Sequence, residues 1–283
     1  MGMGINKFGN LRLNVSVSRK PRSLFAGFLF VLVLALIIYS FFKTQSVVEK
    51  RAFLMGCPVE IKVEGARGLG DLAISEISRL DKLFNAYDPN SEISRLNRGE
   101  KFKVSPDTKN ILELSDQIRK LTNGAFNVKY SGSIDLGAIG KGYAVESARQ
   151  LLLKSGAKSG IIDMRSSIAV SGDKIWKIGI QHPREKNKLL GIVELKDGQS
   201  LGTSGDYERG LHIIDPKTGE PAETMWSITI VGTNAAVVDA LSTGVYVLGA
   251  KKGMELIESR PDIEGLIMVG KNKMLKSSGF NLK

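Results

Sequence analysis

Cysteine occurs once, as Cys57, in 283 residues. An intramolecular disulfide framework is therefore excluded, as is a zinc or iron–sulfur centre built on several thiolates. Proline is sparse at 8 and aromatic residues make up 7%, while 42% of positions are hydrophobic and 24% charged. That balance excludes a disordered, collagenous or low-complexity chain. The folded body also lacks a strong charge of one sign. The formal charge is +11, yet residues 1–50 alone hold seven basic side chains against Glu49, leaving only +5 for the other 233 residues. A nucleic-acid-binding protein concentrates its base in the folded part, so no nucleic-acid partner is expected. The length suits one large domain or two small ones, and no internal repeat or domain boundary is visible after residue 52.

What the first fifty residues do have is one long apolar run. Residues 24–42 are 19 uncharged positions, which at about 1.5 Å rise each nearly match a hydrocarbon core of roughly 30 Å. Arg19, Lys20 and Arg22 precede it, so the positive-inside rule keeps the N-terminus cytoplasmic and exports the rest. Bulky Tyr39, Phe41, Phe42 and Lys43 follow where small residues would guide signal cleavage. The expectation is a basic tail at 1–23, a single-pass membrane anchor at 24–42, a polar tether at 43–51 and an extracytoplasmic domain at 52–283.

Residues 58–64 alternate as a half-buried strand. Leu69, Ala73, Ile77, Leu80 and Phe84 recur at helical spacing, which predicts a helix over 71–84. Ser105-Pro106 opens another, ended by Asn123-Gly124. Further helices are expected at 141–154, 234–248 and 251–259, with strands across 160–180, 189–196, 226–232 and 265–270. Helices and strands interleave without a βαβ period, so the class is mixed α/β, of the α+β kind.

Four polar or glycine-rich segments are candidates for chemistry. In Ile134–Ala144 three glycines and Lys141 precede a helix; read alone, this is either an anion cradle or a tight turn. Leu201–Arg209, with Thr203 and Ser204, reads as a hydrogen-bonding loop or a surface turn. His212–Gly219 is a turn in which His212 stands three residues from Asp215. Asp239 and Thr243 share one helix face at i and i+4. Two hard oxygen donors there suit Mg²⁺, and a lone carboxylate in so apolar a stretch needs a partner.

In this order and spacing the segments resemble the FAD:protein FMN transferase (ApbE) family over roughly residues 52–270. The pieces that match are Met55-Gly56, SEISRLNRGE at 91–100, GAF at 124–126, IDLGAIGKGYAVE at 134–146, TSGDYER at 203–209, HIIDPKTGEP at 212–221 and DALSTGVYVLG at 239–249. The resemblance implies a T-fold-like architecture and Mg²⁺-dependent cleavage of FAD. FMN would pass to a Thr or Ser hydroxyl of a target flavoprotein, with release of AMP. It implies metal ligands at Asp239, Thr243 and the backbone oxygen of Ala144. FAD contacts would be Met55, Ala125, Phe126, Asn127 and Lys141, with Thr203, Ser204 and Asp215 beside them, and His212 would serve the transfer. Water as acceptor, giving a FAD pyrophosphatase, and a non-catalytic tethered flavin binder are the alternatives. Three departures from the family pattern stand out. Asn127 replaces an aspartate, Asp163-Met164-Arg165-Ser166-Ser167 replaces Asn-x-Gly-Gly-Asp, and Cys57 replaces a threonine. Asp197-Gly198-Gln199-Ser200 begins like an acceptor motif, but Leu201 breaks it, so self-labelling is not expected.

Overall fold

A computed structural model describes residues 27, 29–35, 46–206, 210–271 and 273–283. Residues 1–43 and 44–283 are separate units. Of the proposed anchor only 27 and 29–35 are described, and they are helical. The rest of it, the basic tail at 1–23 and positions 207–209 of the polar segment lie outside the described residues. Among the described residues no helix is long and apolar enough to cross a membrane.

In the larger unit the helices form where apolar period and capping coincide. Helix α1 (Leu69–Phe84) buries Leu69, Ala73, Ile77, Leu80 and Phe84 as one stripe, each large side chain contributing about 1.5–3 kcal/mol by leaving water. Helix α2 (Glu92–Asn97), which the sequence reading passes over, is capped by Ser91. Helix α3 (Pro106–Leu121) starts as expected, with Ser105 Oγ accepting the Thr108 amide and proline in the first turn. Helices α4 (Gly140–Lys154), α5 (Ala235–Leu248) and α6 (Ala250–Glu258) follow.

The strands are β1 (Ser46–Leu54), β2 (Cys57–Gly65), β3 (Lys129–Tyr130), β4 (Ser133–Ile134), β5 (Ser159–Asp163), β6 (Ser167–Ser171), β7 (Trp176–Gln181), β8 (Leu189–Leu195), β9 (Ser200–Gly205), β10 (Ser227–Gly232), β11 (Glu264–Gly270) and β12 (Lys273–Lys276). Eight make one sheet in the order β1-β2-β5-β6-β9-β10-β11-β12, antiparallel throughout. Side-chain alternation sorts two cores. Ile162, Ala169, Ile228, Ile230 and Ile267 face the helices. Their neighbours Ile161, Ile168, Val170, Val231 and Leu266 pack with Ile180, Val193 and Leu195 of the β7–β8 hairpin. Strand β10 is covered on both faces and buried at every position, with Ile228 and Ile230 toward the helices and Val231 toward the hairpin.

Three expectations change. Positions 46–51, read as tether, belong to edge strand β1 and pair with β2. The span 160–180 resolves into three strands. The segment from 201, read as a loop, is strand β9 up to Gly205. It carries almost no apolar side chains because it lies directly under α5.

Candidate functional site

Helix α5 rests on a floor of small residues. On β9, Gly202 and Ser204 face the helix while Leu201 and Thr203 face the other core, as period two requires. A Cβ at Gly202 would lie 2.6 Å from Val238 O and 2.9 Å from the Asp239 amide nitrogen. From the other side α4 comes equally close: a Cβ at Gly142 would stand 2.4 Å from Ala235 O and 2.5 Å from Asp239 Cβ. Only glycine permits these approaches. The glycine segment before α4 therefore serves helix packing at Gly142, where the sequence alone suggested approach of a ligand.

Asp239 is 4% exposed. Its Oδ2 accepts the Gly142 amide at 2.9 Å, so a helix N-terminal N–H read as a phosphate donor is engaged by the protein's own carboxylate. Burial pushes the Asp239 carboxyl up; the Lys141 ammonium, the Ser167 hydroxyl and the Gly142 amide pull the other way without cancelling it. Ser167 is fully buried and pairs across the sheet with Gly202.

One turn along, the hydroxyls form a directed relay. Ser242 Oγ lies 2.8 Å from the Asp239 backbone oxygen, which can only accept, so Ser242 donates there. The 2.8 Å contact of Ser204 Oγ with Ser242 Oγ is then donated by Ser204. The 3.1 Å contact with Thr243 Oγ1 is in turn donated by Thr243. Each hydroxyl has one proton, so Thr243 has given its own away and keeps oxygen lone pairs to offer. Asp239 and Thr243 thus present hard oxygens from one helix face. That donor chemistry fits a Mg²⁺-type cation, which takes few protein ligands and completes its shell with phosphates and water. Ala144 is buried two residues beyond Gly142 on α4.

Glu146 and Arg149 hold the two helices in register. Glu146 Oε2 accepts the Ala235 amide at 3.1 Å, at the start of α5. Its Oε1 takes Arg149 at 2.6 Å, and Arg149 reaches Thr233 O at 3.1 Å. No motif spacing marks this pair; its signal is an acid and a base at i and i+3 on a helix that is otherwise packed.

The remaining candidates surround this core at different depths. Met55 sits in the β1–β2 turn at φ 50, its amide on Asp81 Oδ2 at 3.1 Å. A Cβ at Gly140 would meet its methyl at 3.4 Å, so Met55 touches the start of α4. Ala125 and Phe126 are 3% and 1% exposed, leaving their backbone as the means of contact. Asn127 Oδ1 closes its own turn by accepting the Lys129 amide. Thr203 does not join the cluster; its hydroxyl pairs with Thr229 on the opposite face at 3.0 Å.

His212 and Asp215, grouped by spacing, are each engaged elsewhere. Asp215 Oδ1 accepts the Lys217 amide at 2.9 Å. His212 is exposed, with Nδ1 2.9 Å from Gly210 O. The carbonyl can only accept, so the neutral ring is protonated at Nδ1 and carries its lone pair on Nε2. Ile213, Ala222 and Met225 anchor this hairpin in the main core, and Lys217 reaches Gly124 beside the Ala125–Asn127 segment. Arg165 occupies the β5–β6 turn at φ 66, and neither Ser166 nor Ser167 needs a positive φ. Ser200, the would-be acceptor of the imperfect motif, is fully buried on β9.

An antiparallel sheet covered by helices, with a buried oxygen cluster where α4, α5 and β9 meet, defines an α+β domain. Residues 55–132 and 129–267 match the model described as ApbE family, and the chain belongs to that family. FAD:protein FMN transferases of Klebsiella pneumoniae and Treponema pallidum are 30% and 31% identical over 160 and 168 residues, or 53% and 52% of this chain. Those matches span 50% and 46% of the relatives, so the chain covers about half their length. The crystal structure of the ApbE protein of Thermotoga maritima superposes with a TM-score of 0.75 at 26% identity, over 82% of this chain and 97% of that one. The flavin transferase ApbE of Vibrio cholerae gives 0.74 at 24% identity, over 83% and 98%, and shows the shared fold.

Proposed function

We propose that this chain is a Mg²⁺-dependent flavin transferase that cleaves FAD and joins FMN through its phosphate to a Thr or Ser of a target flavoprotein. The observation that carries the reading is the pair Asp239 and Thr243 on one face of α5, a buried carboxylate and a hydroxyl whose proton is given to Ser204. A bound Mg²⁺ would supply charge neutralisation at the diphosphate. Asp239, Thr243 and the Ala144 carbonyl would hold it, and Lys141 would add a cation to the same phosphates. Met55 and the backbone of Ala125–Asn127 would bound the flavin side, with Ser204 keeping Thr243 oriented. His212 Nε2 would take the proton of the acceptor hydroxyl, whose oxygen bonds to the FMN phosphorus as the bridging P–O bond breaks and AMP leaves. Residues 24–42 would anchor the chain in the inner membrane with this domain outside, where a membrane-bound target can meet it.

The test is to incubate the full chain in detergent with FAD, Mg²⁺ and a peptide carrying Asp-Gly-x-Ser/Thr-Gly-Ala/Ser-Thr/Ser, then read peptide mass and AMP. Labelled peptide with AMP, lost in Asp239→Asn and in His212→Ala, is the expected result. AMP without label identifies water as the acceptor. Bound FAD with no AMP refutes catalysis.

A further inference from the structure

The sheet face turned away from the helices is only partly covered. The β7–β8 hairpin packs on it through Ile161, Ile168, Leu201, Val231 and Leu266. The outer face of β1 and β2 is left to solvent, and most of it answers its own charge. Arg51 bridges Glu49 at 2.8 Å and Glu60 at 3.2 Å, Lys62 lies 3.9 Å from Glu49, and Glu64 accepts the Ser159 hydroxyl at 3.1 Å. One end of the face differs. Phe53 is 70% exposed and stands opposite Pro58, which is exposed as well. The register that pairs Glu60 with Asp163, carried two residues on, brings Arg165 beside Pro58. The Arg165 side chain is exposed and, among the described residues, has no ion pair. Its backbone is held at φ 66, with its amide on Asp163 Oδ1 at 2.7 Å. Glycine would hold that conformation at lower energy, and strain kept at an exposed cation points to a use for that cation. The two turns that carry this row also reach the candidate site. Met55 touches the start of α4 at Gly140, and Ser166 O accepts the Thr203 amide at 2.8 Å, beside Ser204.

We infer that Phe53, Pro58 and Arg165 form the surface on which the target protein docks, through an extended segment that carries an apolar side chain and a carboxylate. This rests on the reading of the chain as a flavin transferase and gives that reading's partner a stated chemistry. Aromatic and arginine side chains are the ones that most often dominate protein interfaces. A phosphate would satisfy Arg165 and leave Phe53 and Pro58 bare, whereas a peptide matches the apolar patch and the cation at its edge together. Phe53 and Arg165 stand two strand spacings apart, about 10 Å, which an extended chain covers in about three residues. The segment to expect therefore reads apolar-x-x-acidic, or the reverse.

The experiment uses the full chain in detergent. The probes are fluorescent peptides built on the acceptor core of the transfer assay, with Leu-x-x-Glu or Glu-x-x-Leu placed before or after it; the control has Ser-x-x-Gln there. Anisotropy with FAD in EDTA reads peptide binding without turnover, and labelling in Mg²⁺ reads KM and kcat. Expected is at least one flanked peptide that binds about 10-fold or more tighter than the control, since it buries a leucine against Phe53. Phe53→Ser should erase that preference. Arg165→Gln should cut it about threefold and remove its salt dependence, the scale of an exposed ion pair. Both should raise KM for the flanked peptide at unchanged kcat. FAD affinity, read by flavin fluorescence, should stay as in the parent, which also shows that each variant is folded. No preference for any flanked peptide overturns the inference, and label on the control then leaves flavin transfer standing. FAD weakened by more than about threefold in Arg165→Gln assigns Arg165 to the dinucleotide and overturns the inference too. Preference in binding with no label on any peptide sustains the docking surface and refutes flavin transfer.

Discussion

Gly142→Ala is the sharpest probe of how the oxygen cluster is built, because two principles predict opposite signs for it. By helix propensity alone, alanine inside α4 should stabilise by about 1 kcal/mol. The packing predicts the reverse. The new Cβ would lie 2.4 Å from Ala235 O, 2.5 Å from Asp239 Cβ and 2.9 Å from Ala236 Cα, where ordinary contact begins at 3.4 Å. Two of the three are backbone atoms, and the third is fixed by its own Cα, so no rotamer change gives relief. The helices must part by about 1 Å, which forfeits dispersion along their seam and adds an overpacking cost of up to about 3 kcal/mol. The net expectation is a loss of about 2 kcal/mol, or roughly 4–8 °C in melting temperature for a unit of this size. Thermal melting of the full chain in detergent, followed by circular dichroism, reads it directly. Gly140→Ala is the control, since its Cβ would meet Met55 Cε at 3.4 Å and Leu136 Cβ at 3.8 Å; no loss is expected. A Gly142→Ala chain that melts at or above the parent refutes the packing argument.

Three further substitutions test the surroundings. Glu146→Ala leaves Arg149, 7% exposed, without its carboxylate, and denaturant unfolding should show a loss of about 3–5 kcal/mol; a loss below 1 kcal/mol refutes the clamp, on the same principle. Arg165→Gly relieves a left-handed backbone at φ 66 and should raise stability by about 0.5–1 kcal/mol in the same measurement. Burial pushes the Asp163 carboxyl up, so the folded chain binds this proton more tightly than the unfolded one, and stability falls as pH rises from the unfolded value through the folded one. Asp163→Asn keeps an acceptor for the Arg165 amide. It should therefore melt higher than the parent at pH 7 and lose that advantage below about pH 3.9, as melting at the two pH values would show.

The amphipathic stripe of α1, the Ser105 cap and the i, i+4 pair on α5 were legible because each is local. Period and capping are set within a few residues, so Asp239 and Thr243 could be paired from the sequence. Strand β9 was not legible, since Ser-Leu-Gly-Thr-Ser-Gly has few apolar side chains; its smallness is demanded by α5, which lies 33 residues further on from Gly202 to Ala235. Strand β1 looked like tether for a similar reason, being an exposed edge whose partner supplies the pairing. The facing of Thr203 away from the cluster follows from strand parity, which cannot be read once a segment is taken for a loop. His212 and Asp215 show the converse hazard, proximity in sequence without contact. Ser167 and Gly202 act by where tertiary packing puts them, and the packing roles of Gly142 and Glu146 follow from α5, far from them in sequence.

The walls around residue 239 come from positions 142, 167 and 202, with the Gly142–Asp239 hydrogen bond closing a separation of 97 residues. No fragment that lacks either end of that span contains the whole constellation, and contacts of such long range slow folding. A polypeptide that ends before residue 239 therefore lacks the carboxylate that the other three positions enclose, and the cluster is assembled only after α5 has been made.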